Sequence, residues 1–423
     1  MNRNRPCNWA IAATVIAALA CAAHGKRARA GQPYVLSELS SGHIWRIEDS
    51  NGDGDALDLG ERTLWGDGFT GAQGMTADRR AVYVTEEGLA DGSNQIVRLL
   101  DANGDGDALD VGERTVWLDG LDNPRDISFD GADAWFLSEF DNNQIWRLAD
   151  MNHDGDALDV GEKTLFGDGI SGPQMSLPQS SALVVAAYNS NQIHRLQDLN
   201  GDGDALDLAE NLVITPNFSL PAGVLDDGDG GFYFTSVATG VVYHAQDKNG
   251  DGDMLDVAEV LSYADSVYGL LISPLGLTDF DSGGFLLSDF LNNQVKLVRD
   301  RNGDGDALDL GDVALFADGI DHPIDIVAIP VGLPGDFNLD GIVDAADYVL
   351  WRKGLGTIFS QNDYEVWRAH FGETLAGGAG AASGSAGASS DPVATPEPSC
   401  LFLACCGWLG IAAAGAPRRA ARA

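Results

Sequence analysis

Residues 135–166 read WFLSEFDNNQIWRLADMNHDGDALDVGEKTLF, and the same arrangement returns six times along the chain. The stretch opens on an apolar run, WFLS, and a turn made by Asp141, Asn142 and Asn143. A second run, QIWRL, alternates apolar with polar residues as a half-buried strand does. A thirteen-residue acidic loop follows, and a third apolar run, TLF, closes the unit. The acidic loops begin at Asp49, Asp101, Asp150, Asp198, Asp247 and Asp300, 48–53 residues apart. A period of that size signals an array of supersecondary units, none of which can bury its apolar face alone.

The flanks of the loops repeat as well. Before each turn stand YVLS (34–37), VYVT (82–85), WFLS (135–138), LVVA (183–186), FYFT (232–235) and FLLS (285–288). A fourth, weaker strand begins near a proline, as in NPRDI (123–127) and HPIDI (322–326). Four strands per unit, six units and no amphipathic helix predict an all-β fold, a six-bladed β-propeller over residues 31–332. The first unit lacks its proline-led strand, and the array ends with a spare one, HPIDIVAIP (322–330). The two halves complete one blade in a velcro closure that leaves no long sheet edge open.

The strand-turn-strand unit WFLSEFDNNQIWRL resembles the NHL-repeat propellers. Glu38, Glu86, Glu139 and Asp289 stand at the acidic position of that unit, and Asn142, Asn143 and Gln144 at its turn. Blades four and five depart, with Tyr188 and Val237 read at the acidic position. The inserted acidic loop is no part of the usual NHL unit.

What the loops hold follows from their donors. Five carboxylates in one short loop repel one another unless a cation sits among them. Calcium takes six to eight hard oxygens, and alternating Asp and Asn with Gly at position six lets a short loop wrap it. The candidate ligands are Asp49, Asn51, Asp53, Asp55, Asp58 and Glu61 in the first loop, and Asp101, Asn103, Asp105, Asp107, Asp110 and Glu113 in the second. The third has Asp150, Asn152, Asp154, Asp156, Asp159 and Glu162; the fourth has Asp198, Asn200, Asp202, Asp204, Asp207 and Glu210. The fifth has Asp247, Asn249, Asp251, Asp253, Asp256 and Glu259, and the sixth Asp300, Asn302, Asp304, Asp306, Asp309 and Asp312. Position twelve, where an EF-hand places a bidentate carboxylate, is Gly112 in the second loop. The loops are therefore calcium-loop-like but not EF-hands, and which carboxylate completes each is open. One such site per blade suits a structural ion better than a catalytic one.

After Pro334 the pattern changes. DFNLDGIVDAAD (336–347) places Asp336, Asn338, Asp340, Asp344 and Asp347 at loop positions one, three, five, nine and twelve, with the Ile342 carbonyl at seven. The segments YVLWRKGLG (348–356) and YEVWRAHFG (364–372) repeat each other. A calcium loop with a following helix, duplicated, resembles a dockerin type I module, here over residues 333–375 with its second loop degenerate. The resemblance implies a small helical unit and a cohesin-like partner, or else a calcium-ordered spacer.

Both ends read as addresses. Arg3 and Arg5 precede an apolar run, as in a secretory signal peptide over residues 1–30. Residues 376–394 are rich in Gly, Ala and Ser, a flexible linker. In residues 395–423, Pro396-Glu397-Pro398, an apolar stretch and a basic end resemble a PEP-CTERM sorting signal. That resemblance implies processing by an exosortase-type enzyme; the alternative is a retained membrane anchor. All five cysteines lie in the two ends, so the middle of the chain carries no disulfide framework. A formal charge of −39, with eight basic residues confined to those ends, argues against nucleic acid as a partner and favours divalent cations.

The chain holds no G-x-S-x-G, no H-E-x-x-H and no histidine cluster, and His43, His194 and His244 fall on strands. No catalytic residue is assigned. The expectation is an exported, cell-surface or extracellular calcium-binding propeller that serves as a binding or scaffold module for an envelope or matrix protein or a polysaccharide. The alternative is a calcium-dependent hydrolase or lactonase, as in gluconolactonase-like propellers, with Glu38, Glu86, Glu139 and Asp289 converging on a metal in the central tunnel.

Overall fold

The computed structural model describes residues 31–374, apart from residues 79, 89–91, 102–104, 153, 180, 268–270, 281–283, 330–332, 334, 338–341 and 356–360. The signal segment, the linker and the sorting tail lie outside the described residues, as do Asn103, Asn338 and Asp340. The chain divides into two units between Val331 and Gly332.

The first unit is six four-stranded antiparallel sheets. Blade one holds β1 (Tyr34–Glu38), β2 (Ile44–Ile47) and β3 (Arg62–Gly66). Blade two is β4 (Ala72–Ala77), β5 (Val82–Glu86), β6 (Gln95–Leu99) and β7 (Arg114–Leu118). Blade three is β8 (Pro124–Phe129), β9 (Trp135–Glu139), β10 (Gln144–Leu148) and β11 (Lys163–Asp168). Blade four is β12 (Pro173–Gln179), β13 (Ala182–Ala187), β14 (Gln192–Leu196) and β15 (Asn211–Val213). Blade five is β16 (Pro221–Asp226), β17 (Phe232–Ser236), β18 (Val241–Ala245) and β19 (Val260–Ala264). Blade six is β20 (Pro274–Asp279), β21 (Gly284–Asp289), β22 (Gln294–Arg299) and β23 (Val313–Asp318), and β24 (Pro323–Ala328) returns to blade one.

β24 pairs with β1 through Tyr34–Ala328, Val35–Val327 and Leu36–Ile326, so the expected closure is present. The proline-led strands touch one another around the ring and form its inner wall. Each has a proline or alanine at its first residue, where the missing proline N–H removes no ladder bond. In all six blades the inner strand then bulges away from its neighbour, as between Ala72 and Met75. Hydroxyls ending the apolar runs satisfy the backbone groups this frees. Ser37 Oγ donates to the Gln73 carbonyl at 2.7 Å, Thr85 Oγ1 to that of Gly74 at 3.0 Å, and Ser288 Oγ to that of Ile324 at 2.6 Å. The Ser of YVLS and of FLLS is thus a stitch between blades, while the Thr of VYVT bonds within its own blade.

The core lies between blades. Trp65 and Ile44 of blade one pack with Val84, Val97 and Leu99 of blade two. Tyr83, Trp117 and Trp135 meet with ring centroids 5.0–5.2 Å apart across the next interface. The second unit has α1 (Ala345–Gly354) and α2 (Gln361–His370). Asp344 caps α1 in a capping box with Asp347. Tyr348, Trp351, Tyr364 and Trp367 form an aromatic cluster between the two helices.

Trp117 is 1% exposed and is shared by two blades, so Trp117→Ala is expected to cost about 3–5 kcal/mol in urea unfolding of the propeller. A loss below about 1 kcal/mol would contradict a core carried by the interfaces.

Candidate functional site

The acidic loops join the third and fourth strands of every blade. In the first, Asp49 Oδ1 accepts from the N–H groups of Gly52 and Asp53 at 2.6 and 3.1 Å, and Oδ2 accepts from that of Gly54 at 3.0 Å. Gly54 has φ of +102°, the bend expected at position six. In later loops such bonds, from Gly201 to Asp198, Gly252 to Asp247 and Gly305 to Asp300 foremost, hold the first carboxyl below its ordinary range. The side chains at positions three, five and ten converge. Asn200 Nδ2 lies 3.0 Å from Asp202 and 2.6 Å from Asp207, and Asn302 Nδ2 lies 3.0 Å from Asp304 and 2.5 Å from Asp309. Asn51 with Asp58, Asn152 with Asp159 and Asn249 with Asp256 repeat the close pair.

The residue at position thirteen has another task. Glu61 is 3% exposed, and its oxygens accept from the N–H groups of Ser50 at 3.0 Å, Asn51 at 3.3 Å and Asp58 at 3.1 Å. Glu162 and Glu210 make the same bonds, and Asp312 bonds Arg301 and Asp309. These carboxylates brace their loops from within. Position eight clasps the ring: the N–H of Ala56 donates to Phe316, Ala108 to Trp65, Ala157 to Trp117, Ala205 to Phe166, Met254 to Ile214 and Ala307 to Tyr263, all at 2.7–2.8 Å. Every acceptor is the carbonyl of a residue in, or one beyond, the outer strand of the preceding blade. The oxygen-only donor set at positions one, three, five and ten, with the carbonyl of position seven, fits a hard cation such as calcium. Among the described residues no three His, Cys, Asp or Glu side chains meet at one point; in the third to sixth loops the convergence is two carboxylates and one amide.

The four strand-end acids do not form a ring in the tunnel. Glu86 accepts from Thr70 N–H at 2.7 Å, Gln95 Nε2 at 2.7 Å and Arg114 at 3.2 Å. Glu139 accepts from Asn142 Nδ2, Trp146 Nε1 and Lys163 Nζ at 2.7–3.0 Å. Glu38 bonds Ser41, Trp45 and the backbone of Asp321, and Asp289 bonds Ser273 and Asn292. Each is spent on its own turn and the strands beside it. Register also corrects the reading of blades four and five: Ala187 faces Gln192 and Ser236 faces Val241, as Glu139 faces Gln144, so Ala187 and Ser236 hold the acidic position.

Tyr188 and Val237 therefore belong to the next column, with Leu39, Glu87, Phe140 and Phe290. Five of these six line a cavity of about 330 Å³ at the tunnel mouth, with Gln73, Arg125, Gln174, Leu275 and Ile324 from the inner strands. The sixth, Glu87, pairs with Arg125 at 3.3 Å and accepts from Gln73 Nε2 at 3.0 Å. Arg125 also stacks over Phe140, 5.1 Å from its centroid. Blades two to four thus supply Gln73, Arg125, Gln174 and Tyr188 beside Phe140, and blades five, six and one supply Val237, Leu275, Phe290, Leu291, Ile324 and Leu39, with Ser273 the one polar side chain among them. The sequence signals for this cavity were the residue after the strand-end acid and the residue after the inner-strand proline.

Deeper in the tunnel, the inner strands bring together two carboxylates that sequence reasoning missed. Asp126 accepts from Ser176 N–H at 2.8 Å, and Asp325 from Met75 N–H at 2.8 Å. Gly74 makes room for the first, since a Cβ there would lie 2.6 Å from Asp126 Oδ1 and 2.7 Å from the Arg125 carbonyl. Burial, joined by the charge of Asp325, pushes Asp126 up to about 8, and burial pushes Asp325 up to about 7.

Folded chains therefore keep these protons where unfolded chains, at an ordinary carboxyl value of 3.8, have released them. Stability from the pair is full below that value and is lost as pH rises through about 7 to about 8. Asp126→Asn is expected to melt close to wild type at pH 5 and above it at pH 9, by about 2–4 °C for each kcal/mol relieved. An equal difference at both values would refute the buried charge.

No protein-family model and no curated protein matches the chain. Among solved structures, a chain of a nidogen/laminin complex superposes with a TM-score of 0.51 at 15% identity, over 71% of this chain and 98% of that one. Virginiamycin B lyase from Staphylococcus aureus is 14% identical over 70% of this chain and 88% of its own, with a TM-score of 0.41. A streptogramin B lyase is 14% identical over 70% and 86%, with a TM-score of 0.42. The likeness is one of fold: the chain is a six-bladed β-propeller.

Proposed function

We propose that the protein is an exported binding or scaffold module, a propeller stabilised by one calcium ion per blade that presents its tunnel mouth to a partner. The observation that carries this reading is the clasp at position eight. Each loop that converges oxygens on one point also hydrogen-bonds the preceding blade, so an ion that stiffened the loop would stiffen the interface. The residues that would hold the ion are those at positions one, three, five and ten with the carbonyl of seven, for example Asp198, Asn200, Asp202, Asp207 and the Asp204 carbonyl. The carboxylate at thirteen would brace them. Calcium would supply the positive charge that lets these acids share one loop.

The mouth supports recognition: its walls are amide, aromatic and aliphatic side chains with a single ion pair. Residues 333–375 would act as a dockerin-like docking module or spacer, with Asp336, Asp344 and Asp347 among its ligands. The signal segment and tail would place the propeller at the cell surface or in the extracellular matrix, held or released by an exosortase-type enzyme.

Calcium titration with thermal melting tests the reading. Calcium at about 100 times its dissociation constant is expected to add about 2.7 kcal/mol per independent site, and Asp202→Ala should remove one site's share. Equal melting temperatures in calcium and in chelator would sink it.

A further inference from the structure

Five of the six acidic loops read Asn-Gly at positions three and four: Asn51, Asn103, Asn200, Asn249 and Asn302 each precede a glycine, whereas Asn152 of the third loop precedes His153. An asparagine before glycine carries its own reaction partner. The glycine nitrogen, with no Cβ beside it, reaches the side-chain carbon of the asparagine and closes a succinimide ring, which is one reason asparagine counts among the thermolabile residues.

The folded loops hold this reaction in check. In the first, fourth, fifth and sixth, the glycine N–H donates to the carboxylate at position one at 2.6 Å. The asparagine Oδ1 accepts from the N–H at position five at 2.8–2.9 Å, and Nδ2 donates to the carboxylate at position ten at 2.5–2.6 Å. The attacking nitrogen, the carbonyl oxygen and the leaving nitrogen are thus each tied to a different residue. All four asparagines are exposed to water, so the loop bonds are what protects them. Local opening releases all three ties together.

We infer that these Asn-Gly pairs are sites of self-modification: a loop that has given up its cation opens and converts its position-three asparagine to aspartate and isoaspartate. In the fourth loop, Gly201 N attacks Asn200 Cγ; the bond from Cγ to Nδ2 breaks, and ammonia leaves with the proton that Gly201 gives up. Water then opens the succinimide at one carbonyl to give aspartate or at the other to give isoaspartate, and no oxidant or reductant takes part. Aspartate is still a hard-oxygen ligand. Isoaspartate adds a methylene to the backbone after position three, which displaces the N–H groups of Asp202 and Gly203 from Asn200 and Asp198, their acceptors at 2.8 and 2.9 Å. A loop left empty is marked for good, and the third loop, with a Cβ on the residue after its asparagine, is spared. This inference rests on the loops holding calcium, as in the proposed function.

The test incubates the full chain at one pH and temperature with calcium, with chelator and in urea, and follows each asparagine by peptide mass, which reads NH2 replaced by OH. Calcium at about 100 times its dissociation constant lowers the ion-free population about 100-fold, so the five sites are expected to convert at least about tenfold faster in chelator, with Asn152 slow throughout. In calcium, Asp202→Ala is expected to release Asn200 alone, with Asn51, Asn249 and Asn302 still protected. Should that variant unfold as a whole, all five convert together and the wild-type comparison decides. Equal rates in calcium and chelator, in a protein whose melting temperature calcium raises, overturn the inference and leave the structural-calcium reading standing. Conversion of Asn152 at the Asn-Gly rate, or an Asn200 that stays protected in a folded Asp202→Ala, overturns it as well. Melting and conversion that both ignore calcium remove the calcium reading, and this inference with it.

Discussion

One hydrogen bond per blade, from the eighth residue of each acidic loop to the outer strand of the blade before it, ties the six sheets into a ring. Sheets packed face to face are held in large part by apolar contact, which has no direction and sets no angle. The clasp supplies direction. It also explains why position eight is alanine in five loops and methionine in the fifth: the residue is buried against the neighbouring blade, and only a small or pliant side chain fits there. The inserted loop is therefore part of how the propeller closes, whatever ion it holds.

Blade number, strand order and closure were legible in the sequence because period-two alternation and Asn- and Gly-rich turns are local signals. Side-chain destination was not. Glu86 and Glu139 end a strand on the inner half of a blade, and from spacing alone they point toward the tunnel. The structure turns them onto Arg114, Lys163 and the turn amides, since a cation on the outer strand lies within reach of the same turn. The acidic column slipped by one residue in blades four and five because Ala187 and Ser236 carry no charge there, and only cross-strand pairing identifies them. Asp126 and Asp325 were invisible for a related reason: within NPRDI and HPIDI they look like ordinary polar residues of a weak strand, and the bulge that buries them is no sequence feature.

The ring is six-fold in plan and unequal in detail. At loop position twelve, Gly60, Gly112, Gly161 and Gly311 take φ near +98°, while Ala209 and Ala258 hold the same region at +74° and +72°. An L-residue there is strained by about 1–2 kcal/mol, so the fourth and fifth loops are built at greater cost than the others. At position eleven all six loops carry leucine or valine, 87–107% exposed, beside their carboxylates. The mouth departs further from symmetry, its polar side chains coming from blades two to four with Ser273 the exception.

The closing ladder gives the two ends of the propeller a shared exit. Tyr34, where the first strand begins, pairs with Ala328, where the last one ends, and Ile329 donates to the Pro33 carbonyl just beyond. Tension drawn between the two ends would meet these pairs one at a time, in the geometry of a zipper, and not as a row sheared together. A propeller anchored through one end alone passes no pull across that seam. The architecture is thus mechanically suited to hanging from a single tether, and poorly suited to serving as a link in a chain under load.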